Sequence, residues 1–221
     1  DSLYFDRHSQ LIVSRGYATL KVNYRGSSGF GKKFMFAGKM QWGLNIEDDI
    51  AKVVDTVIDE GLVDAQRVCI FGASYGGYSA LMSTIRYPEK YKCAISFAGV
   101  TDIPLMFAED TRMKSDDYKK TMTDIVGDPI KDAQYQRNNS PVYRYKDLKT
   151  PIMLAHGDQD PVVTSEHSDR LSLMLNAAGT EHIYLHQSGA SHSLAYTHFA
   201  EQFYTTFFNF LETHIPEPVQ P

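Results

Sequence analysis

Short apolar runs that alternate with helical stretches constrain this chain more than any other feature of it. "RVCIFG" (67–72), "KCAISFAG" (92–99), "PIMLAHG" (151–157) and "HIYLH" (182–186) have the length of strands. The first of them is apolar almost throughout, and a strand with water on one face would alternate apolar and polar residues. It therefore reads as a strand covered on both faces. Between the runs lie helical patterns. Residues 75–87 form one, stopped at Pro88, and 165–178 form another, with Leu171, Met174, Leu175 and Ala178 on one side and Gly179 at the end. Ahead of these, "GYATLKVNY" (16–24) reads as a further strand running into "RGSSGFG". Residues 46–60 put Ile46, Ile50, Val53, Val54, Val57 and Ile58 on one helical face, with Asn45 as N-cap and Gly61 as stop. An aromatic helix over about 194–214 closes the pattern. Strand, helix, strand, helix predicts an α/β fold, with a mostly parallel sheet and helices on both faces.

The 221 residues, 43% of them hydrophobic, suffice for one core, so a single domain over 1–221 is expected. Residues 100–150 break the rhythm with about fifty residues between two strands, and read as a cap-like insertion. The ending "IPEPVQP" is expected to fray. A net charge of −5 with interspersed signs lacks the basic stripe that nucleic acid requires. No apolar run reaches the length of a membrane span. Cys69 and Cys93 read as buried reduced thiols. No metal-ligand spacing occurs, and Gly26, Gly29 and Gly31 do not match a dinucleotide fingerprint, so no metal and no cofactor are expected.

"GASYGGY" (72–78) places Ser74 between a strand and a helix, with glycines at 72, 76 and 77. The Gly-x-Ser-x-Gly pattern in that context is a nucleophile elbow: a sharp turn that holds the serine out, tight enough to exclude neighbouring side chains. A serine hydroxyl needs a base to take its proton and a carboxylate to orient that base. In sheets of this kind the acid and then the histidine follow on later strand ends. Asp158 and Asp160 both follow the 151–157 strand and both fit; Asp160 is preferred, partly on the resemblance given next. His192 sits in a glycine-containing loop after the 182–186 strand and is the better base, because His182 and His186 lie within the strand. His156 reads as a packed, hydrogen-bonded side chain. The Tyr75 amide, at a helix N-terminus, is a candidate oxyanion donor.

"GYATLKVNYRGSSGFGKKF", "WGLNIEDD", "GASYGGY", "NSPVYRYKDLKTPIMLAHGDQDPVV" and "GASHS" together resemble the catalytic domain of the prolyl oligopeptidase family of serine peptidases. The resemblance covers nearly the whole chain. It implies an α/β-hydrolase fold that is missing its N-terminal strands here, one of them expected between 16–24 and 67–72. It implies the triad Ser74, Asp160 and His192, and cleavage of short peptides. Arg25, Tyr78 and Val162 become candidates for the substrate pocket, with loop-tying as the other reading of Arg25 and packing under the elbow as the other reading of Tyr78. The family also implies an upstream β-propeller and a second oxyanion donor in an upstream loop, so this chain reads as part of a longer protein. The expected location is cytoplasmic. A carboxylesterase-type acyl hydrolase and a non-catalytic fragment remain alternatives. The closing aromatic helix reads as packed on the sheet, with a homo-oligomer interface as the alternative.

Overall fold

A computed structural model of the chain describes residues 5–194 and 197–216. In chain order the elements are α1 (Arg7–Val13), α2 (Lys32–Phe36), α3 (Asn45–Asp59), β1 (Cys69–Ala73), α4 (Tyr75–Arg86), β2 (Cys93–Phe97), α5 (Ile103–Glu109), α6 (Asp116–Val126), α7 (Ala133–Asn138), β3 (Ile152–Gly157), α8 (Glu166–Ala178), β4 (His182–Gln187) and α9 (Thr197–His214). Two 3₁₀ turns, Thr111–Lys114 and Pro141–Asp147, complete the 100–150 segment. The two residues before α9 and the tail from 217 onward lie outside the described residues. Of the 215–221 ending expected to fray, Ile215 is instead buried, with its amide bonded to Leu211 O, and 217–221 lie outside the described residues.

The four strands form one parallel sheet in the order β1-β2-β3-β4. Consecutive order with crossovers of one hand sends every connecting segment over the same face. The packing agrees. Ile70, Ala94, Ile152 and Leu154 meet Leu81, Met82 and Ile85 of α4, Ile103 and Met106 of α5, and Leu171 and Leu175 of α8. The opposite face must then be covered by the two ends of the chain. Cys93, Ile95, Phe97, Met153 and Ala155 pack against Ile12 of α1 and Phe203, Phe207, Phe210 and Leu211 of α9. The period-2 alternation of strand side chains divides the residues between the two cores. The aromatic helix is thus spent on the sheet, with Phe203, Phe207 and Phe210 buried.

Four expectations change. Residues 17–24 are not a strand of the sheet: β1 is its edge, and among the described residues no strand pairs with it on that side. For the same reason β1 is half-buried rather than covered on both faces. Leu44, not Asn45, occupies the N-cap of α3; Asn45 is the first helical residue and its side-chain amide donates to Gln41 Oε1. Cys69 and Cys93 are not free thiols: they are register partners on β1 and β2, with Cα atoms 4.7 Å apart, and are joined in a disulfide. A count of cysteines cannot reveal that two of them face each other across a strand pair. Among the described residues no helix is long and apolar enough to cross a membrane.

Candidate active site

Ser74 joins β1 to α4 with φ 55° and ψ −119°, a conformation that a non-glycine residue holds only under strain. The glycines around it make the turn sterically feasible. A Cβ on Gly72 would lie 2.3 Å from the carbonyl carbon and oxygen of Gly76. One on Gly77 would lie 2.6 Å from Ser96 Oγ and 2.9 Å from the Cα of Gly99. Strand end and helix start therefore touch backbone to backbone. The Ser74 amide donates to Phe97 O at 2.9 Å, which fastens the turn to the end of β2. Tyr75 opens α4, where the first N–H groups have no acceptor within the helix. Its ring packs at 4.5 Å from that of Trp42 and 5.5 Å from that of Tyr24. Beneath it, fully buried Glu47 of α3 accepts from Ser79 Oγ at 2.9 Å and from Tyr75 Oη at 3.5 Å.

At the end of β3 the chain turns through Gly157-Asp158-Gln159-Asp160. Asp160 is buried, and its two oxygens have different partners. Oδ1 accepts the amides of Val162 at 2.8 Å and Val163 at 2.9 Å. Oδ2 accepts Nδ1 of His192 at 2.6 Å. Burial alone would raise the pKa of this carboxyl, but hydrogen bonds from His156, His192 and the two amides outweigh it and hold the group well below the usual carboxylate range. An ionised Asp160 fixes the proton of neutral His192 on Nδ1 and leaves Nε2 as the acceptor. The imidazole is a quarter exposed.

The loop after β4 reaches Asp160 because it docks on the same turn. Gln159 N donates to Ala190 O at 2.9 Å, and a Cβ on Gly157 would lie 2.3 Å from that oxygen. Asp158 holds the loop from the other side. Its Oδ1 accepts the amide of Gly189 at 2.7 Å and its Oδ2 accepts Ser188 Oγ at 3.0 Å. Asp158 therefore serves backbone and hydroxyl donors of the loop, while Asp160 faces the histidine. Ser74 reaches the same sheet edge by topology: all four strands are parallel, so 74, 160 and 192 all follow strand C-termini. Two inter-strand spacings, about 10 Å, separate the ends of β1 and β3. Among the described residues no hydrogen bond joins Ser74 Oγ to His192.

The other candidates separate clearly. Arg25 pairs with Asp49 of α3 through Nε at 2.7 Å and Nη2 at 2.6 Å, so its guanidinium ties the 25–31 loop to the helix. Tyr78 is a correction: it is 0% exposed, with its hydroxyl donating to Asn139 O at 2.7 Å, so it supports the elbow from below and lines no accessible pocket. Val162 is half-buried on the acid turn. His182 is held by Ser172 Oγ and Thr180 O, and His186 points to solvent. Two residues near the site carried no sequence signal for it: Glu47 under the elbow, and His156, whose Nε2 lies 3.4 Å from Asp160 Oδ2. Among the described residues no group of three or more His, Cys, Asp or Glu is placed to hold a metal ion.

Known proteins resemble this chain in sequence and fold. A dipeptidyl aminopeptidase BIII from Pseudoxanthomonas mexicana is 30% identical over 80% of this chain and 26% of its own length. The acylamino-acid-releasing enzyme of Mus musculus is 30% identical over 68% of this chain and 21% of its own. The solved acylaminoacyl peptidase of Pyrococcus horikoshii superposes with a TM-score of 0.86 at 24% identity, over 99% of this chain and 36% of that one, which shows the α/β-hydrolase-type fold. A Mycobacterium tuberculosis puromycin-hydrolyzing peptidase superposes with a TM-score of 0.80 at 26% identity, over 90% of this chain and 30% of that one. This chain spans roughly a quarter of the length of the curated relatives it matches. The profile of the prolyl oligopeptidase family matches residues 3–217, and with the elbow, the acid turn and the histidine loop in their expected order the chain belongs to that family.

Proposed function

We propose that this chain is the catalytic portion of a serine peptidase that hydrolyses short peptides through an acyl-enzyme on Ser74. The observation that carries this reading is the 2.6 Å contact between Asp160 and His192 at the sheet edge that also holds the elbow serine. Nε2 of His192 takes the proton of Ser74 as the hydroxyl attacks the substrate carbonyl, and returns it to the leaving amine. Asp160 holds the required tautomer and stabilises the imidazolium. The Tyr75 amide donates to the developing oxyanion. No residue of this chain is assigned as the second donor.

Relatives support the substrate class. They include acylaminoacyl peptidases, one of them solved with Z-Gly-Gly-Phe-chloromethyl ketone, and puromycin hydrolases. Residues 100–150 act as a cap over the acid side of the site. Glu109 accepts from Thr164 Oγ1 at 2.6 Å, next to the acid turn, and Arg112 faces Asp160 electrostatically. A β-propeller upstream, as in the family, would screen substrates by size. The test is labelling of the full-length protein with a fluorophosphonate probe, beside turnover of a peptide anilide and a short acyl ester. The expected result is an adduct on Ser74, abolished in Ser74→Ala, and preference for the anilide. Preference for the ester would support a carboxylesterase. Absence of an adduct in the folded protein would reduce the chain to a non-catalytic module.

A further inference from the structure

His156 sits on β3 with 0% exposure, and every polar atom of its ring is engaged. Nδ1 lies 2.7 Å from Ser168 Oγ on α8. Nε2 lies 2.8 Å from Val163 O and 3.4 Å from Asp160 Oδ2. Two acceptors, neither able to donate, face Nε2, so that nitrogen carries the proton. A hydroxyl can donate, so Nδ1 of a neutral ring accepts from Ser168. The Nε2–H is therefore shared between a carbonyl of the acid turn and the carboxylate oxygen that also accepts from His192. A packing role would require only the Val163 contact. A second imidazole directed at the working oxygen of Asp160 does more than fill space.

We propose that His156 is a positioning residue for Asp160: its Nε2–H fixes the carboxylate against the acid turn and moderates how strongly Oδ2 attracts the proton of His192. This deepens the serine-hydrolase reading and rests on it. Four donors then surround Asp160, two amides at Oδ1 and two imidazoles at Oδ2. Each hydrogen bond to the carboxylate spreads its charge and lowers its pull on His192. Two other titratable groups face the pair. Arg112, from the 3₁₀ turn after α5, acts on Asp160 at longer range. His167 of α8 is uncharged, because burial pushes its pKa down to about 3, and its Nδ1 accepts the amides of Thr101 and Asp102. Neither shows a hydrogen bond to Asp160.

The experiment is a ¹⁵N-histidine NMR titration of the full-length protein, comparing wild type with His156→Leu and His156→Gln. Leucine removes the donor, so the carboxylate draws harder on the imidazolium and the His192 pKa rises by about 0.5–1 unit. The acid limb of kcat/KM moves up with it, and kcat falls while KM holds. Glutamine keeps an Nε2 donor at that reach and restores both toward wild type. A folded His156→Leu protein whose His192 titrates as in wild type overturns the proposal. If the leucine variant does not fold, the wild-type spectrum decides. His156 must be the Nε2–H tautomer, and its ring shifts must inflect at the pH where His192 titrates; the other tautomer, or no inflection, overturns the proposal. The titration needs no turnover. If the Ser74 adduct is missing while the inflection persists, the peptidase reading fails and the coupling stands.

Discussion

Gly72 and Gly76 flank the serine symmetrically in the motif, yet the structure gives them opposite tolerances. A methyl on Gly72 would collide with backbone atoms of Gly76, which cannot rotate away. A methyl on Gly76 meets nothing within 4 Å, and its φ lies outside the left-handed region. What matters at position 76 is the backbone pressed on Gly72, not the missing side chain. Gly72→Ala should therefore destabilise by about 1–3 kcal/mol through forced backbone shifts. Gly76→Ala should leave the unfolding midpoint unchanged or slightly raised, since alanine is the better helix residue by roughly 0.5–1 kcal/mol. Thermal unfolding of the two variants side by side checks this, and a larger loss at 76 than at 72 would contradict it. The choice between Asp158 and Asp160 is similar. Spacing in the sequence admits both, and they separate only through what each accepts: loop donors for one, the imidazole for the other.

At the scale of elements, strands inside the sheet were readable because burial on both faces leaves a continuous apolar run, as in Cys93–Phe97 and Ile152–Gly157. The 16–24 segment misled for the complementary reason: β propensity is local, but a strand exists only through its neighbour. The α3–α4 contact is equally invisible in the sequence, where Glu47 is simply an acidic residue in the first turn of a helix. It is instead fully buried, with Oε2 lacking a hydrogen-bond partner among the described residues. Burial pushes its pKa up to about 7 from 4.5, against smaller opposing effects from Ser79 and Arg86. The folded state thus binds this proton more tightly than the unfolded one. The associated stability is complete below the unfolded pKa near 4.5 and is lost as pH rises through about 7. Glu47→Gln keeps the shape without the charge. It should match wild type near pH 5 and exceed it at pH 8 by on the order of 2–3 kcal/mol. Urea midpoints at the two pH values test this, and a variant less stable than wild type at pH 8 would show that the ionised carboxylate is needed under the elbow.

For the whole molecule, the sheet's two faces depend on different parts of the chain. One is covered by the crossovers α4, α5 and α8; the other is covered by the chain's own ends, α1 and α9. That division follows from consecutive strand order and single-handed crossovers; the alternation of elements in the sequence predicts helices on both faces, but the strand order that decides which helix covers which face comes from the structure. What the alternation did not contain is the link between the second face and the site. In chain order the His192 loop stands between β4 and α9, so the element that follows the site's base is the helix that closes the second core. Phe207 is 1% exposed and meets Phe71 of β1 edge-on at 5.1 Å, beside Phe203, whose ring lies 6.0 Å from that of Phe71, so the elbow strand and α9 share a small aromatic cluster. Phe207→Ala removes the closer of the two contacts and should cost about 3–5 kcal/mol. If the contact acts only on stability, labelling of Ser74 below the unfolding transition stays at the wild-type rate and falls in step with the folded fraction. If it also registers the two halves of the site, labelling slows at temperatures where the variant is still fully folded. The geometry favours the first outcome: His192 is held by Asp160 and its loop by Asp158 and Gln159 on the acid turn, Ser74 is fastened to the end of β2 by its bond to Phe97 O, and none of these contacts involves Phe207.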